Sequence, residues 1–205
     1  FGISFAVAAF PVLSQFAFDR EKLISNFSST VRQILFFIIP ATVLLLTLRA
    51  QIIRVILGAG KFNWEDTILT MNALGFFALS LFAQALVPLL TRVFYARHDS
   101  RRPLYVGLVV VLVNVVLSWF LGKKMGVAGL ALAFSLSNIL NFILLWLWLW
   151  ARVGELDQKR ILFSTFKFSL AGVGAGFMIQ AAKVLISPYV NMHSFWGITT
   201  QGLMA

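Results

Sequence analysis

The segment Leu104–Leu121 runs for eighteen residues without a charged side chain, and Val127–Trp150 is longer and equally uncharged. A run of about 20 apolar residues matches the length a helix needs to cross a hydrocarbon layer about 30 Å thick. In such a layer the backbone must satisfy its own N–H and C=O groups, which restricts the chain to helices or a closed barrel. The runs are too long for barrel strands and lack strict alternation, so helices are expected.

The rest of the chain supports this reading. Of its 205 residues 60% are hydrophobic and 12% charged, with a mean hydropathy of +0.91. A soluble domain is nearer about half apolar and a quarter charged. Seven candidate spans follow: 1–18, 32–48, 68–94, 104–121, 127–150, 161–186 and 195–205. The first and last are short, and the chain starts and stops within them, so it reads as a piece of one transmembrane domain cut at both ends. No basic stretch with a small-residue cleavage site precedes Phe1. Arg49–Leu57, where Arg49, Gln51 and Arg54 interrupt apolar residues, suits a short amphipathic helix lying at the interface. Asn63-Trp-Glu-Asp66 suits the capped start of a helix.

Seventeen Lys and Arg against seven Asp and Glu give a net charge of +10. The bases lie between apolar runs instead of on one soluble face, which argues against a nucleic-acid partner. Arg20, Lys22, Arg32, Arg92, Arg97, Arg101, Arg102, Arg152, Lys159 and Arg160 fall around alternate loops. Those ten exceed the five of the intervening loops: Arg49, Arg54, Lys61, Lys123 and Lys124. The richer loops are expected on the cytoplasmic side. Trp146, Trp148 and Trp150, just before Arg152, read as interfacial anchors.

Polar residues within the spans are the candidates for function, because each is costly in hydrocarbon unless paired. Asn114 and Ser118 share one helix face, and Ser135, Asn138 and Asn141 form a second stripe. These suit a cation or sugar hydroxyl, or else hydrogen bonds between helices. Pro11, Pro40 and Pro88 are candidate helix breaks, since proline frees a backbone carbonyl. Gly126, Gly129 and Ala133, and the pair Gly172 and Gly176, permit close helix approach. Lys167 and Lys183 sit near opposite ends of the sixth span, where snorkelling accounts for them. With no cysteine and with His98 and His193 far apart, no metal site or cofactor is expected. No catalytic motif is present, so an enzyme is not expected.

The most specific stretch is Ala85-Leu-Val-Pro-Leu-Leu-Thr-Arg-Val-Phe-Tyr-Ala-Arg-His-Asp-Ser-Arg-Arg-Pro103. It resembles the pattern R-x-F-Y-A-x-x-D-T-[RK]-T-P of the MurJ (MviN) family of lipid II flippases. Arg92, Phe94, Tyr95, Ala96, Asp99, Arg101 and Pro103 match, while Ser100 and Arg102 stand at the two threonines. Gly2–Ser14 is similar to the family's G-x-x-x-x-T-x-x-x-P-x-L-S span, with Ala8 or Ala9 near the threonine. Gly58–Phe62 resembles its G-x-F turn, and Gly126-Val-Ala-Gly-Leu-Ala-Leu-Ala its G-x-x-G-x-A-x-A helix start. The resemblance runs through about Trp150.

That resemblance implies an all-α integral membrane fold of the multidrug/oligosaccharidyl-lipid/polysaccharide exporter superfamily. This chain would form the C-terminal lobe of its fourteen helices, from the eighth to the start of the fourteenth. The implied function is moving the undecaprenyl-linked peptidoglycan precursor from the inner to the outer leaflet of a bacterial cell membrane by alternating access. The alternatives are another lipid-linked oligosaccharide flippase of the superfamily, or a non-transporting scaffold for cell-wall synthesis. The implied partners are the lipid-linked precursor, bilayer lipids and cell-wall synthesis proteins. The family's cavity arginines fall before Phe1. Arg92, Arg97, Asp99, Arg101 and Arg102 are placed at the cytoplasmic mouth, to attract a lipid diphosphate, to latch one state, or to set topology against anionic lipid. Asn114 matches a sodium ligand of some members, but Ser118 and Phe134 replace two others.

Overall fold

The computed structural model describes residues 2–57 and 63–186, which form seven α-helices and, among the described residues, no strand. They are α1 (Gly2–Gln15), α2 (Arg20–Leu57), α3 (Trp64–Leu79), α4 (Leu81–Ala96), α5 (Arg101–Met125), α6 (Val127–Val153) and α7 (Gln158–Ile186). Four of them, α2, α5, α6 and α7, are long and apolar enough to span a bilayer. The pair α3 and α4 makes a fifth span, bent by 42° at Ser80. The chain is therefore a multi-pass membrane protein built of helices. The candidate span 195–205, the Gly58–Phe62 turn and His193 lie outside the described residues.

Two expectations are corrected. Arg49–Leu57 is not a separate interfacial helix, because α2 continues unbroken from Arg20 to Leu57. Nothing between Leu48 and Leu57 stops the backbone ladder. The Arg49 guanidinium lies against Gly75 of α3, where an added Cβ would make it move. The prolines also do not mark the breaks: helix continues through Pro11, Pro40 and Pro88. The break falls at Ser80 instead, where the Ser80 N–H turns to the Phe77 carbonyl at 3.2 Å.

The helix starts follow local chemistry. Asn63 caps α3 through a capping box: Asp66 N–H donates to Asn63 Oδ1 (2.9 Å), and Asn63 N–H donates to Asp66 Oδ2 (3.1 Å). Before α2, Asp19 Oδ1 accepts from Lys22 N–H (3.2 Å). That bond is the main cause holding the Asp19 carboxyl below its ordinary range.

The core gathers Leu13 of α1, Leu23, Phe27 and Ile34 of α2, Leu89 and Leu90 of α4 and Leu145 of α6, all fully buried. Helix α5 packs on α6 and touches little else. Gly129 makes that packing close, since a Cβ there would run into the Leu121 carbonyl of α5. Gly172 and Gly176 let α7 approach Val43 of α2 in the same way. Gly126 has a different role: with φ +59° and open space around it, it turns the chain between α5 and α6.

Candidate functional site at the arginine-rich end

Three turns meet at one end of the bundle: α1–α2, α4–α5 and α6–α7. The α4–α5 turn is a Schellman-type stop. Asp99 N–H donates to the Phe94 carbonyl (2.9 Å) and His98 N–H to the Tyr95 carbonyl (3.0 Å). His98 occupies the left-handed position with φ +56°, where glycine is usual, and its ring stacks on Phe18 of the α1–α2 turn at 6.2 Å. On the third turn Asp157, with φ +55°, accepts from Ser28 of α2 at 3.0 Å and faces Arg160 at 3.7 Å. Gly154 has φ +85°, a conformation that strains any L side chain, and lies against the Arg20 guanidinium.

Asp99 is the electrostatic centre of this end. Its Oδ2 lies 3.2 Å from Arg102 Nε and 3.2 Å from an Arg152 terminal nitrogen, and its side chain is 14% exposed. Arg102 also covers the Trp148 ring at 5.4 Å. Arg97 stands beside them with a buried Nε that has no hydrogen-bond partner among the described residues. Desolvation first, and the like charge of Arg152 second, pull the Arg97 guanidinium below its ordinary pKa. Of the residues singled out from sequence, Arg97, Asp99 and Arg102 come together here. Arg101 is exposed beside them, and Arg92 turns to α1, 6.0 Å above the Phe10 ring. Arg152 joins them although it is not among the candidate site residues; its signals in the sequence are its place in a base-rich loop and its position just after the tryptophan stripe.

The polar residues of the spans are spent largely on holding helices. Asn114 donates to Ser137 of α6 at 3.3 Å, a bond in which Ser118 takes no part. Asn138 donates to the Phe134 carbonyl of its own helix at 2.9 Å, and Asn141 is half-buried. Lys183 is not a snorkelling residue: it is 9% exposed and donates to the Thr47 carbonyl and to Gln51 Oε1 (3.2 Å) on α2. Lys167 is exposed over the Phe163 ring. Among the described residues no cluster of three or more His, Asp or Glu has the geometry of a metal site.

An apolar cavity of about 740 Å³ opens between α2, α3, α4, α6 and α7. Ile39, Leu46, Leu79, Phe82, Phe142 and Ser169 are among its walls. Its size falls within the range of ligand sites, about 300–1,000 Å³. Trp146 lines it and packs against Phe27 and Phe142, so this tryptophan faces inward, unlike the expected anchor. Trp148 and Trp150 are exposed.

Comparison with known proteins agrees with the sequence resemblance. The family model described as "Lipid II flippase MurJ" matches residues 1–200. A probable lipid II flippase MurJ of Thermotoga maritima is 32% identical over 179 residues, covering 87% of this chain and 36% of that protein. One from Vibrio cholerae is 29% identical over 208 residues, covering 99% of this chain and 38% of that protein. The chain thus spans little more than a third of the length of these relatives. A solved structure of a lipid II flippase MurJ in an inward closed conformation superposes with a TM-score of 0.75 at 27% identity, covering 98% of this chain and 40% of that one.

Proposed function

The chain belongs to the MurJ family of lipid II flippases, and from that premise we propose that it forms the C-terminal lobe of a transporter for a lipid-linked peptidoglycan precursor. The precursor passes from the cytoplasmic to the outer leaflet of a bacterial inner membrane by alternating access, without covalent chemistry. The observation that carries this reading beyond the family is the apolar cavity of about 740 Å³. A flippase must move a diphosphate and sugars through a polar route while a long hydrocarbon chain remains in an apolar one. A cavity walled by α2, α4, α6 and α7 suits the hydrocarbon chain.

Orientation supports the same reading. The turns that carry the surplus of Lys and Arg all lie at one end, the end expected in the cytoplasm. The ten Lys and Arg around these turns outnumber their five acids, Asp19, Glu21, Asp99, Glu155 and Asp157, and leave that end cationic. It suits the approach of a lipid diphosphate, because guanidinium groups bind phosphate in a forked geometry. Cell-wall synthesis proteins are candidate partners at the same face.

The test is complementation of a strain depleted of its lipid II flippase, using the full-length protein. Restored growth and precursor turnover are expected. A protein that reaches the membrane at normal levels and restores neither overturns the transport reading in favour of a scaffold.

A further inference from the structure

The bend between α3 and α4 has a specific hydrogen-bond economy. In an unbroken helix the Phe76 carbonyl would accept from the Ser80 N–H. Here that N–H goes to the Phe77 carbonyl instead, at 3.2 Å, so the bend strips Phe76 of its partner. Ser135 of α6 replaces it, donating its hydroxyl to the Phe76 carbonyl at 2.7 Å. Ser80 then donates to Ser135 Oγ at 3.1 Å and receives Gln84 Nε2 at 2.8 Å. Ser80 is 0% and Ser135 1% exposed, so the two hydroxyls are buried between the helices, with the half-buried Gln84 at the edge of the network. A helix broken in an apolar layer needs such a substitute, because no water is at hand there to pair the freed carbonyl.

The bend also borders the apolar cavity. Ala78 and Leu79, on the α3 side of Ser80, and Phe82 and Leu86, on the α4 side, all line it. The angle at Ser80 therefore sets the shape of that wall.

We propose that Ser135 is a positioning residue for the cavity: its hydroxyl holds the α3–α4 bend, and exchange of the Phe76 carbonyl between Ser135 and the Ser80 N–H is the pivot on which α3 swings. With Ser135 bonded, the span is bent and the cavity takes the form seen here. With the Ser80 N–H returned to Phe76, the span straightens, and Ala78 and Leu79 move relative to Phe82 and Leu86. The link to transport rests on the proposed function, whereas the pivot itself does not.

The experiment uses the full-length protein in nanodiscs. The chain itself has no cysteine, so in a full-length background with any cysteine outside it replaced, spin labels can be placed at Glu65, near the end of α3 far from the bend, and at Lys124 of α5, both exposed. The α3 arm is about 22 Å long at about 1.5 Å per residue. Loss of a quarter of the 42° bend would then move Glu65 by about 4 Å, within reach of a pulsed dipolar distance measurement. Ser135→Ala is expected to shift or broaden the distance, and Ser135→Thr, which keeps the hydroxyl, to restore it. In a vesicle flipping assay, Ser135→Ala should slow movement of the lipid-linked precursor several-fold and Ser135→Thr should recover it. An unchanged distance in Ser135→Ala overturns the pivot, even if the variant is less stable. A shifted distance with unchanged flipping, in a wild type that flips, overturns the link between bend and transport. A wild type that does not flip counts against the proposed function alone.

Discussion

Asp99 and Arg152 belong to different turns, yet they meet at 3.2 Å on the same carboxylate oxygen that Arg102 holds at 3.2 Å. One acid thus pairs with two arginines while a third, Arg97, lies beside them with its Nε unpaired among the described residues. Removing the acid leaves three neighbouring cations repelling one another. Asp99→Asn is expected to lower stability by on the order of 1 kcal/mol, at the upper end of about 0.2–1 kcal/mol for exposed pairs, because Asp99 is only 14% exposed. Thermal unfolding of Asp99→Asn, Arg152→Gln and the double variant measures the coupling. Effects that add within about 0.3 kcal/mol would show that the pair contributes nothing.

Close packing of α5 rests on one residue. Gly129→Ala drives a Cβ into the Leu121 carbonyl and is expected to destabilise by about 1–3 kcal/mol, the usual cost of overpacking. Gly174→Ala has open space and is expected to be neutral or to stabilise by about 0.5–1 kcal/mol through helix propensity. The two variants compared by unfolding in detergent check the argument. Equal effects would mean that α5 and α6 are not held at this distance.

Helix α2 begins at an exposed carboxylate. Asp19 accepts the Lys22 N–H, so Asp19→Ala should loosen the first turn of α2, whereas Asp19→Asn, also a good cap, should change it little at neutral pH. The native carboxyl titrates below its ordinary range. Its stabilisation is therefore full above the unfolded value of about 3.9 and is lost as pH falls through the lower folded value. A helix melt of the wild type that weakens at this end near neutral pH would contradict the assignment.

That the chain folds into long membrane helices was legible because apolar length is a direct physical requirement of the bilayer. The seven candidate spans are not the seven helices, however: 68–94 divides into α3 and α4, and 195–205 lies outside the described residues. The arginine-rich end was legible in part: the motif residues Arg97, Asp99 and Arg102 are near in sequence and so meet in one turn. Arg152 was not, since its pairing with Asp99 depends on how α6 returns beside α4. The break at Ser80 was hidden for a different reason. Proline advertises a lost backbone bond, so Pro88 drew the expectation, while the actual break is stabilised by Ser135 on another helix. Similarly, Arg49, Gln51 and Arg54 give the same amphipathic period whether α2 stops or continues. The observed helix, unbroken to Leu57, distinguishes the two.

The cavity offers the most direct link from packing to transport. Ser169 of α7 is half-buried on its wall, and Leu170, the next residue, is 64% exposed toward the lipid side. Ser169→Phe places a ring in the space proposed for the hydrocarbon chain, while Leu170→Phe adds the same ring outside it. If the chain occupies the cavity during movement across the bilayer, Ser169→Phe should slow flipping several-fold at an unchanged membrane level, and Leu170→Phe should leave it near wild type. A fluorescent precursor analogue in reconstituted vesicles reads both rates. Equal rates for the two variants would place the hydrocarbon chain elsewhere, in the surrounding lipid, and would leave the cavity without a part in transport.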